Sequence, residues 1–278
     1  CYPVRSIRVR YLVKVWCLFI WAGGALAQES QWHDHQGAVQ TRIVAASHQD
    51  SSEMQLFGWE AKLSEGWKAY WRSPGEAGLP VRVFRGETEV ELLYPYPERF
   101  DLFGLETYGY SKQVILPFYL NTPDTGVVEV RADFMVCKDI CIPFTAHYSL
   151  QGDVASLASS SHDIRFDAWL QKVPDRDTAT KANLGIEAVQ VKGVQGMQKL
   201  VVDVRADHTL ENADLLVEVG DAFHFGTPEV HLLEDGTRAR IVVGAMAARG
   251  APNLKGQEAR FTFSDGAGNA IDRRIMLK

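Results

Sequence analysis

The residues of this sequence best suited to chemistry are two cysteines, Cys137 and Cys141, in the string VCKDICIP between predicted strands over 127–136 and 144–150. Three intervening residues allow a tight loop to bring the two Cα atoms within the roughly 4.4–6.8 Å that a disulfide needs. Because the closed loop is so short, a bridge here adds little stability by restricting the unfolded chain. Disulfides that close short loops are often easily reduced, so the spacing favours a pair that exchanges disulfides with other proteins.

Two other interpretations of the cysteines remain open from the residues alone. One is a structural disulfide, and the other is a soft-metal site that adds Met135 or His147 to Cys137 and Cys141. A closed zinc site needs a third and a fourth ligand at a spacing that the sequence lacks, whereas cuprous copper accepts two sulfur ligands. Copper binding through the same two sulfurs is therefore the alternative function.

The N-terminal segment has the pattern of a secretory signal peptide. Four basic residues precede an apolar run over 15–27 that ends in Ala25-Leu26-Ala27, which predicts a leader over 1–27 and cleavage before Gln28. The run is shorter than the roughly 20 residues that span a bilayer, although a signal anchor remains the alternative. Cleavage removes two of the four cysteines and leaves Cys137 and Cys141 in an oxidising compartment. No later stretch is long and apolar enough to predict a membrane span in the mature chain.

The charge and length of the mature chain limit its class. Loss of the leader changes the formal net charge from -6 to -10, with 25 basic against 35 acidic residues, which argues against nucleic acid as a partner. A mature chain of 251 residues is long for one domain and typical of two.

The pattern of the mature chain predicts an all-β fold of two antiparallel β-sandwiches in tandem. After a flexible tail over 28–35, residues 36–153 alternate apolar and polar side chains in short runs separated by turn residues. Residues 154–183 read as a linker with a short helix over 166–173 that Pro174 ends. Strand signals resume over 184–278 and predict the second sandwich.

Three strings give the sequence a resemblance to a known family. They are GWKAYWRSPGEAGLP at 66–80, YGY at 108–110 followed by VILP at 114–117, and VCKDICIP at 136–143. Together they resemble the N-terminal periplasmic domain of the DsbD family of thiol:disulfide interchange proteins, and are closer to the branch that contains the copper-tolerance protein ScsB. The resemblance covers residues 36–150 well and the two-sandwich arrangement more loosely.

This resemblance implies an immunoglobulin-like fold and a periplasmic location. It also implies that Cys137 and Cys141 are the active pair of a protein-disulfide reductase module. The pair would receive electrons from a membrane thiol-disulfide donor of the DsbD or CcdA type and pass them to oxidised thioredoxin-fold proteins of the periplasm. We expect Cys141 to attack the substrate disulfide and Cys137 to resolve the mixed disulfide, with no cofactor.

The resemblance also implies a loop that caps the disulfide with an aromatic side chain. The string RFDLFG at 99–104 occupies the corresponding place, so Phe103 is the expected cap and Phe100 the reserve. Asp101 is a candidate proton acceptor, with a turn role as the alternative. Tyr108 and Tyr110 are candidates to place hydroxyls beside the cysteines, with packing as the alternative. Only three residues separate the cysteines, where better-studied members have more.

Overall fold

The computed structural model describes residues 28–122, 126–151, 158–176 and 183–278, which form two β-sandwiches. The predicted all-β fold is confirmed, and the predicted signal peptide over 1–27 lies outside the described residues. Among the described residues, no helix combines the length and the apolar character needed to cross a membrane.

The first sandwich pairs a four-stranded sheet with a seven-stranded sheet. Its strands are β1 (His33–His35), β2 (Val39–Gln49), β3 (Gln55–Leu63), β4 (Lys68–Gly75), β5 (Arg82–Arg85), β6 (Thr88–Val90), β7 (Glu98–Leu102), β8 (Leu105–Ser111), β9 (Gln113–Leu120), β10 (Val127–Cys137) and β11 (Cys141–Gln151). The smaller sheet has the order β1-β2-β3-β9, and the larger has the order β6-β5-β10-β4-β8-β7 with β11 also paired to β10. The long β10–β11 hairpin is therefore part of the larger sheet.

Large aromatic side chains fill the space between these two sheets. Trp59 and Phe57 of β3 face inward on alternate positions, and Trp71 of β4 meets them from the other sheet, all fully buried. The core also contains a polar contact that is satisfied internally, because the hydroxyl of Tyr148 lies 2.6 Å from that of Thr41. Because alternate residues face this core, the residues between them form the outer face of each sheet.

The second sandwich has the same plan with shorter strands. Its strands are β12 (Asp175–Arg176), β13 (Gly185–Lys192), β14 (Lys199–Arg205), β15 (Asp214–Glu218), β16 (Phe223–Phe225), β17 (Glu229–Leu233), β18 (Arg238–Ala247), β19 (Glu258–Ser264) and β20 (Ala270–Met276). One sheet has the order β12-β20-β19-β15, and the other has β13-β14-β18-β16 with β17 also paired to β18. The second sandwich has its own core, in which Phe261 and Phe263 of β19 are fully buried.

The segment predicted as a flexible tail, 28–35, instead extends the smaller sheet of the first sandwich. The amide of Ser30 donates to the carbonyl of Ile43 at 2.8 Å, and His33–His35 pairs antiparallel with β2. The backbone polar groups of β2 explain the difference, since this segment supplies them with hydrogen-bond partners.

The linker contains one helix within the described residues, α1 (Asp163–Leu170), which begins earlier than the predicted 166–173. The carboxylate of Asp163 fixes the start, since it accepts the amides of Ser160 and Ser47, each at 2.8 Å. Pro174 follows the helix, as the sequence predicts. The buried ring of Phe166 packs the helix onto the outer face of the smaller sheet.

Candidate redox site

Cys137 and Cys141 form a disulfide across the last residue pair of the β10–β11 hairpin. The strands stay in register from Val127 opposite Gln151 to Cys137 opposite Cys141, where the Cα atoms are 4.1 Å apart and the sulfurs 2.00 Å apart. In the three-residue loop, the amide of Lys138 donates to the carbonyl of Ile140 at 3.1 Å. The predicted pairing at a strand-to-strand connection is thus present in the structure.

The two cysteines differ in their exposure to solvent. Cys137 is fully buried, because its strand β10 pairs with β11 on one edge and, at Cys137, with β4 on the other edge. Cys141 begins β11 and is exposed, as are its neighbours Ile140, at 64%, and Pro143. Cys141 is therefore the member of the pair that is exposed at the surface, and Cys137 is out of reach of another protein in this conformation.

Cys137 belongs to a small buried cluster on the outer face of the larger sheet. The other buried members are Tyr70 of β4 and Leu102 of β7, with Met135 and Ala77 packed at the edge. Apart from the sulfurs of Cys137 and Met135 and one hydroxyl group, the cluster is apolar. It covers the disulfide on the outer face of the sheet.

That hydroxyl group belongs to Tyr70, and it has no hydrogen-bond partner in the part of the chain that the structure describes. Tyr70 is 1% exposed, and burial raises the pKa of its hydroxyl, so the group is a neutral donor at physiological pH. The ring lies against Gly78, where an added Cβ would come within 2.4 Å of the ring. Any larger residue at position 78 would displace the ring from the cluster.

Lys68 is the residue directly opposite Cys137 in the register of β4 and β10. Lys68 of β4 pairs with Cys137 of β10, and side chains of directly opposed residues project from the same face. The ammonium of Lys68 lies 4.5 Å from the centre of the Phe100 ring, so Phe100, the reserve cap, supports this cation from β7.

The expected cap, Phe103, lies at the tip of the β7–β8 turn with 76% of its surface exposed. It shares the turn with Gly104, and both have positive φ, at 55° and 83°. Asp101 accepts the amide of Gly104 at 3.1 Å, which is the turn role given as the alternative for this residue. The side chain of this hairpin that is buried in the cysteine cluster is the neighbouring Leu102.

Tyr108 and Tyr110 of β8 lie on the opposite face of the sheet from Cys137. Tyr110 pairs with Ala69, so alternation places both tyrosines in the sandwich core rather than beside the sulfurs. The hydroxyl of Tyr110 donates to the carbonyl of Pro95 at 2.8 Å. The expectation that these hydroxyls support the cysteines does not fit this geometry, whereas the packing alternative does.

The two extra ligands considered for a soft metal differ in position. Met135 packs at the edge of the cluster that contains Cys137. His147 is opposite Arg131, six residues along β10 from Cys137, which corresponds to about 20 Å at a strand's rise per residue. Within the described residues, no group of three or more His, Cys, Asp or Glu side chains is arranged to hold a metal ion.

Lys68 and Leu102 of the site were not singled out from the sequence. A signal for Lys68 exists in the string WKAYW at 67–71, where Lys68 and Tyr70 alternate with the core residues Ala69 and Trp71. Nothing in the sequence indicates which of these two faces lies beside the cysteines.

Comparisons with known proteins agree with the fold. Residues 38–152 match the family described as thiol:disulfide interchange protein DsbD, N-terminal, and residues 172–273 match a domain family of unknown function. The crystal structure of the N-terminal periplasmic domain of ScsB from Proteus mirabilis aligns over 90% of this chain and 99% of its own, with a TM-score of 0.70 and 22% identity.

Two further comparisons add no information. A marsupial T cell receptor aligns over 86% of this chain and 96% of its own at a TM-score of 0.20 and 10% identity, which is too weak to bear on the fold. No curated protein is similar enough in sequence to count as a relative. On the family match and the two-sandwich fold shared with the ScsB domain, the first sandwich is a domain of the DsbD N-terminal type.

Proposed function

We propose that this chain is a periplasmic thiol:disulfide interchange module that carries electrons from a membrane donor to oxidised thioredoxin-fold proteins. The observation that carries the proposal is the unequal exposure of the two cysteines, since Cys137 is fully buried and Cys141 is exposed. Exchange needs one accessible sulfur that forms a mixed disulfide and a second, protected sulfur that resolves it.

In the first half-reaction, the donor's thiolate attacks the sulfur of Cys141. The bond between Cys141 and Cys137 breaks, and Cys137 leaves as a thiolate. A second donor thiolate then attacks the donor sulfur of the mixed disulfide and releases Cys141. The donor becomes a disulfide, and this chain gains two electrons and, after protonation, two protons.

In the second half-reaction, the thiolate of Cys141 attacks a disulfide of the oxidised partner. One partner sulfur leaves as a thiolate, and a mixed disulfide joins the two proteins. The thiolate of Cys137 then attacks the sulfur of Cys141 and releases the partner's other sulfur. The partner is reduced by two electrons, and the original disulfide is restored.

A buried thiolate at Cys137 occurs in both half-reactions, and two neighbours are suited to stabilise it. The ammonium group of Lys68 projects from the same face of the sheet, and opposite charge favours the ionised sulfur. The unpartnered hydroxyl of Tyr70 can donate a hydrogen bond to it. These two groups offset the cost of a negative charge in an apolar cluster.

We assign the shielding of the disulfide to Leu102 in place of Phe103. Leu102 is buried with Cys137, and Phe103 follows it at the tip of a two-residue turn. A displacement of the turn that uncovers Leu102 therefore moves Phe103 as well. On this assignment, the exposed ring of Phe103 is a contact for the incoming partner and Leu102 is the cover.

Trapping of mixed disulfides tests the proposal. The variant Cys137→Ser keeps the exposed thiol and lacks the resolving one, so it should form a lasting mixed disulfide with an oxidised thioredoxin-fold protein. Cys141→Ser keeps only the buried thiol and should trap little. Equal trapping by both variants, or none by either, would contradict the proposal.

Binding of cuprous copper is a second candidate function, and the position of Met135 beside Cys137 favours it. Two thiolates and a thioether are ligands that cuprous copper prefers. Titration of the reduced protein with cuprous ion against a competing chelator tests this function. Tight binding that is lost in both Cys137→Ser and Met135→Leu would support it, and loss in neither would exclude it.

A further inference from the structure

Strand β15 is one element of the second sandwich that packs against the first. Leu216, in the middle of this strand, is 2% exposed and belongs to the buried core cluster of the first sandwich. Asp214 and Glu218 share its face of the strand by two-residue alternation. They form ion pairs with Arg99 of β7 and Arg72 of β4, each at 2.7 Å.

The carboxylate of Asp214 accepts several hydrogen bonds from the first sandwich. Arg99 donates Nη2 to Oδ1 of Asp214 at 2.7 Å and Nε to Oδ2 at 2.9 Å, in the two-pronged geometry that fixes both side chains. Tyr96 donates its hydroxyl to the same carboxylate at 2.8 Å, and Arg99 also donates to the carbonyl of Leu215 at 2.9 Å. Burial opposes the charge of Arg99, but hydrogen bonding and attraction to Asp214 outweigh burial and raise its pKa.

A second set of contacts reaches the same hairpin through β8. One oxygen of the Glu106 carboxylate accepts hydrogen bonds from Arg99 and from the hydroxyl of Tyr108. The other oxygen accepts a hydrogen bond from the hydroxyl of Thr227. The hydroxyl of Tyr108 also lies 3.3 Å from the carbonyl oxygen of Phe225. Thr227 and Phe225 belong to the second sandwich, so that sandwich contacts the β7–β8 hairpin on both of its strands.

These contacts lie close to the residue that covers the disulfide. Arg99 precedes Leu102 by three residues on β7. Glu106 of β8 pairs with Asp101 of β7, next to the turn. Leu102 lies at the turn end of the same hairpin and is buried with Cys137. The position of Leu102 therefore depends on how firmly the hairpin is held.

We propose that the second sandwich positions the β7–β8 hairpin and thereby controls access to the disulfide, with Asp214 as the positioning residue. Asp214 acts through Arg99 and does not touch the sulfurs. Loss of its charge loosens the hairpin, and Leu102 then uncovers the disulfide more often. This inference rests on the proposed exchange function, because it gives the second sandwich a part in it.

The test measures the rate at which dithiothreitol reduces the disulfide in the folded mature chain. A dithiothreitol thiolate attacks a protein sulfur, and its second thiolate completes the reduction by forming a cyclic disulfide. Asp214→Asn is almost the same size as the native residue and lies at a quarter-exposed position, so the protein should fold. We expect it to raise the rate by about 3- to 10-fold, which lies within the range of coupling between linked sites.

Two matched variants define what the result means. Asp203→Asn removes a carboxylate that binds Arg240 in the same two-pronged way, at 2.8 and 3.1 Å, within the second sandwich and away from the hairpin, so the rate should not change. Glu218→Gln weakens the same interface through Arg72 of β4 and should have a smaller effect than Asp214→Asn. In a Leu102→Ala background, Asp214→Asn should add nothing further, because the cover is already gone.

An unchanged rate in Asp214→Asn would overturn the proposal. An equal increase in Asp203→Asn or Glu218→Gln would overturn it as well, since the effect would then be general loosening. Because dithiothreitol replaces the partner protein, the result is independent of the trapping experiment. Failure to trap a partner with a normal response to Asp214→Asn would remove the exchange function and keep the positioning role.

Discussion

The two outer faces of the first sandwich are covered in different ways. On the smaller sheet, helix α1 lies over the face, and Phe166 packs onto Gly58, where an added Cβ would come within 2.9 Å of the ring. Glu60, 1% exposed, is held there between Arg42, at 2.7 Å, and Arg165 of the helix. On this face, buried charges bind the cover in place.

On the larger sheet, the cover over the disulfide is a small apolar cluster with no ion pair inside it. Tyr70, Leu102 and Cys137 form it, and the exposed Cys141 lies at its edge. Separating apolar side chains exposes no unpaired charge, whereas opening a buried ion pair leaves charges without partners. The difference indicates that the helix-covered face is built to stay closed and the cysteine face to open.

The strongest test of this comparison is Glu60→Gln on the closed face. The substitution removes the carboxylate that Arg42 and Arg165 share, although Arg42 keeps its pair with Glu29. We therefore expect a cost of about 3 kcal/mol, the low end for loss of one partner from a buried ion pair. Chemical denaturation should show this loss of unfolding free energy, while the rate of disulfide reduction stays unchanged. Glu89→Gln, which affects an exposed pair with Arg82, is the control and should change the stability little. A faster reduction in Glu60→Gln would mean that the two faces are not independent.

The matching substitution on the cysteine face is Leu102→Ala. It removes most of a buried side chain from a small cluster near the surface, so we expect a loss of about 2 kcal/mol, at the low end for leucine. Reduction by dithiothreitol should become several-fold faster because the disulfide loses its cover. Leu105→Ala, at the 40% exposed position paired with Leu102, is the control and should leave the rate unchanged. Equal rates in Leu102→Ala and the native chain would show that Leu102 shields nothing.

The hairpin that contains the cysteines could be predicted from the sequence, because its signals are local. Alternation indicated strands over 127–136 and 144–150, and the structure has them at Val127–Cys137 and Cys141–Gln151 with the disulfide between them. The spacing of the cysteines and the turn residues around them carry this information within about 25 residues of chain.

The neighbours of the cysteines could not be predicted, because they come from distant strands. Tyr70 reaches Cys137 from β4, and the choice between it and Tyr108 depends on which face of the sheet each strand presents. A shift of one residue exchanges the two faces of a strand, so the pattern within one strand does not decide it. The paired segment 28–35 was missed for the same reason, since its hydrogen-bond partners lie in β2.

A smaller effect is expected from Lys68→Met, which removes a cation from the face of the sheet that carries Cys137. If Lys68 stabilises the thiolate of Cys137, its loss destabilises the reduced form and makes the reduction potential more negative, by about 20–30 mV for about 1 kcal/mol. Equilibration with glutathione at known ratios measures the shift. Lys138→Met is the control, because this ammonium binds the carbonyl of Glu65 at 3.2 Å. An equal shift in both variants would mean that Lys68 acts only through the overall positive charge of the region, and not through its position opposite Cys137.

The smallest effect concerns the pH dependence of the closed face, through His162. Burial lowers the pKa of this imidazole below its ordinary 6.5, although the carboxylate of Glu29, 2.8 Å away, opposes the shift. As the pH falls below 6.5, the unfolded chain binds a proton that the folded chain does not, so stability present at neutral pH is lost. The slope from this group cannot exceed about 1.4 kcal/mol per pH unit. His162→Gln should flatten the unfolding free energy between pH 7 and 5, and His231→Gln, which removes an exposed imidazole, is the matched control. A steeper profile in His162→Gln would reverse the sign assigned to this histidine.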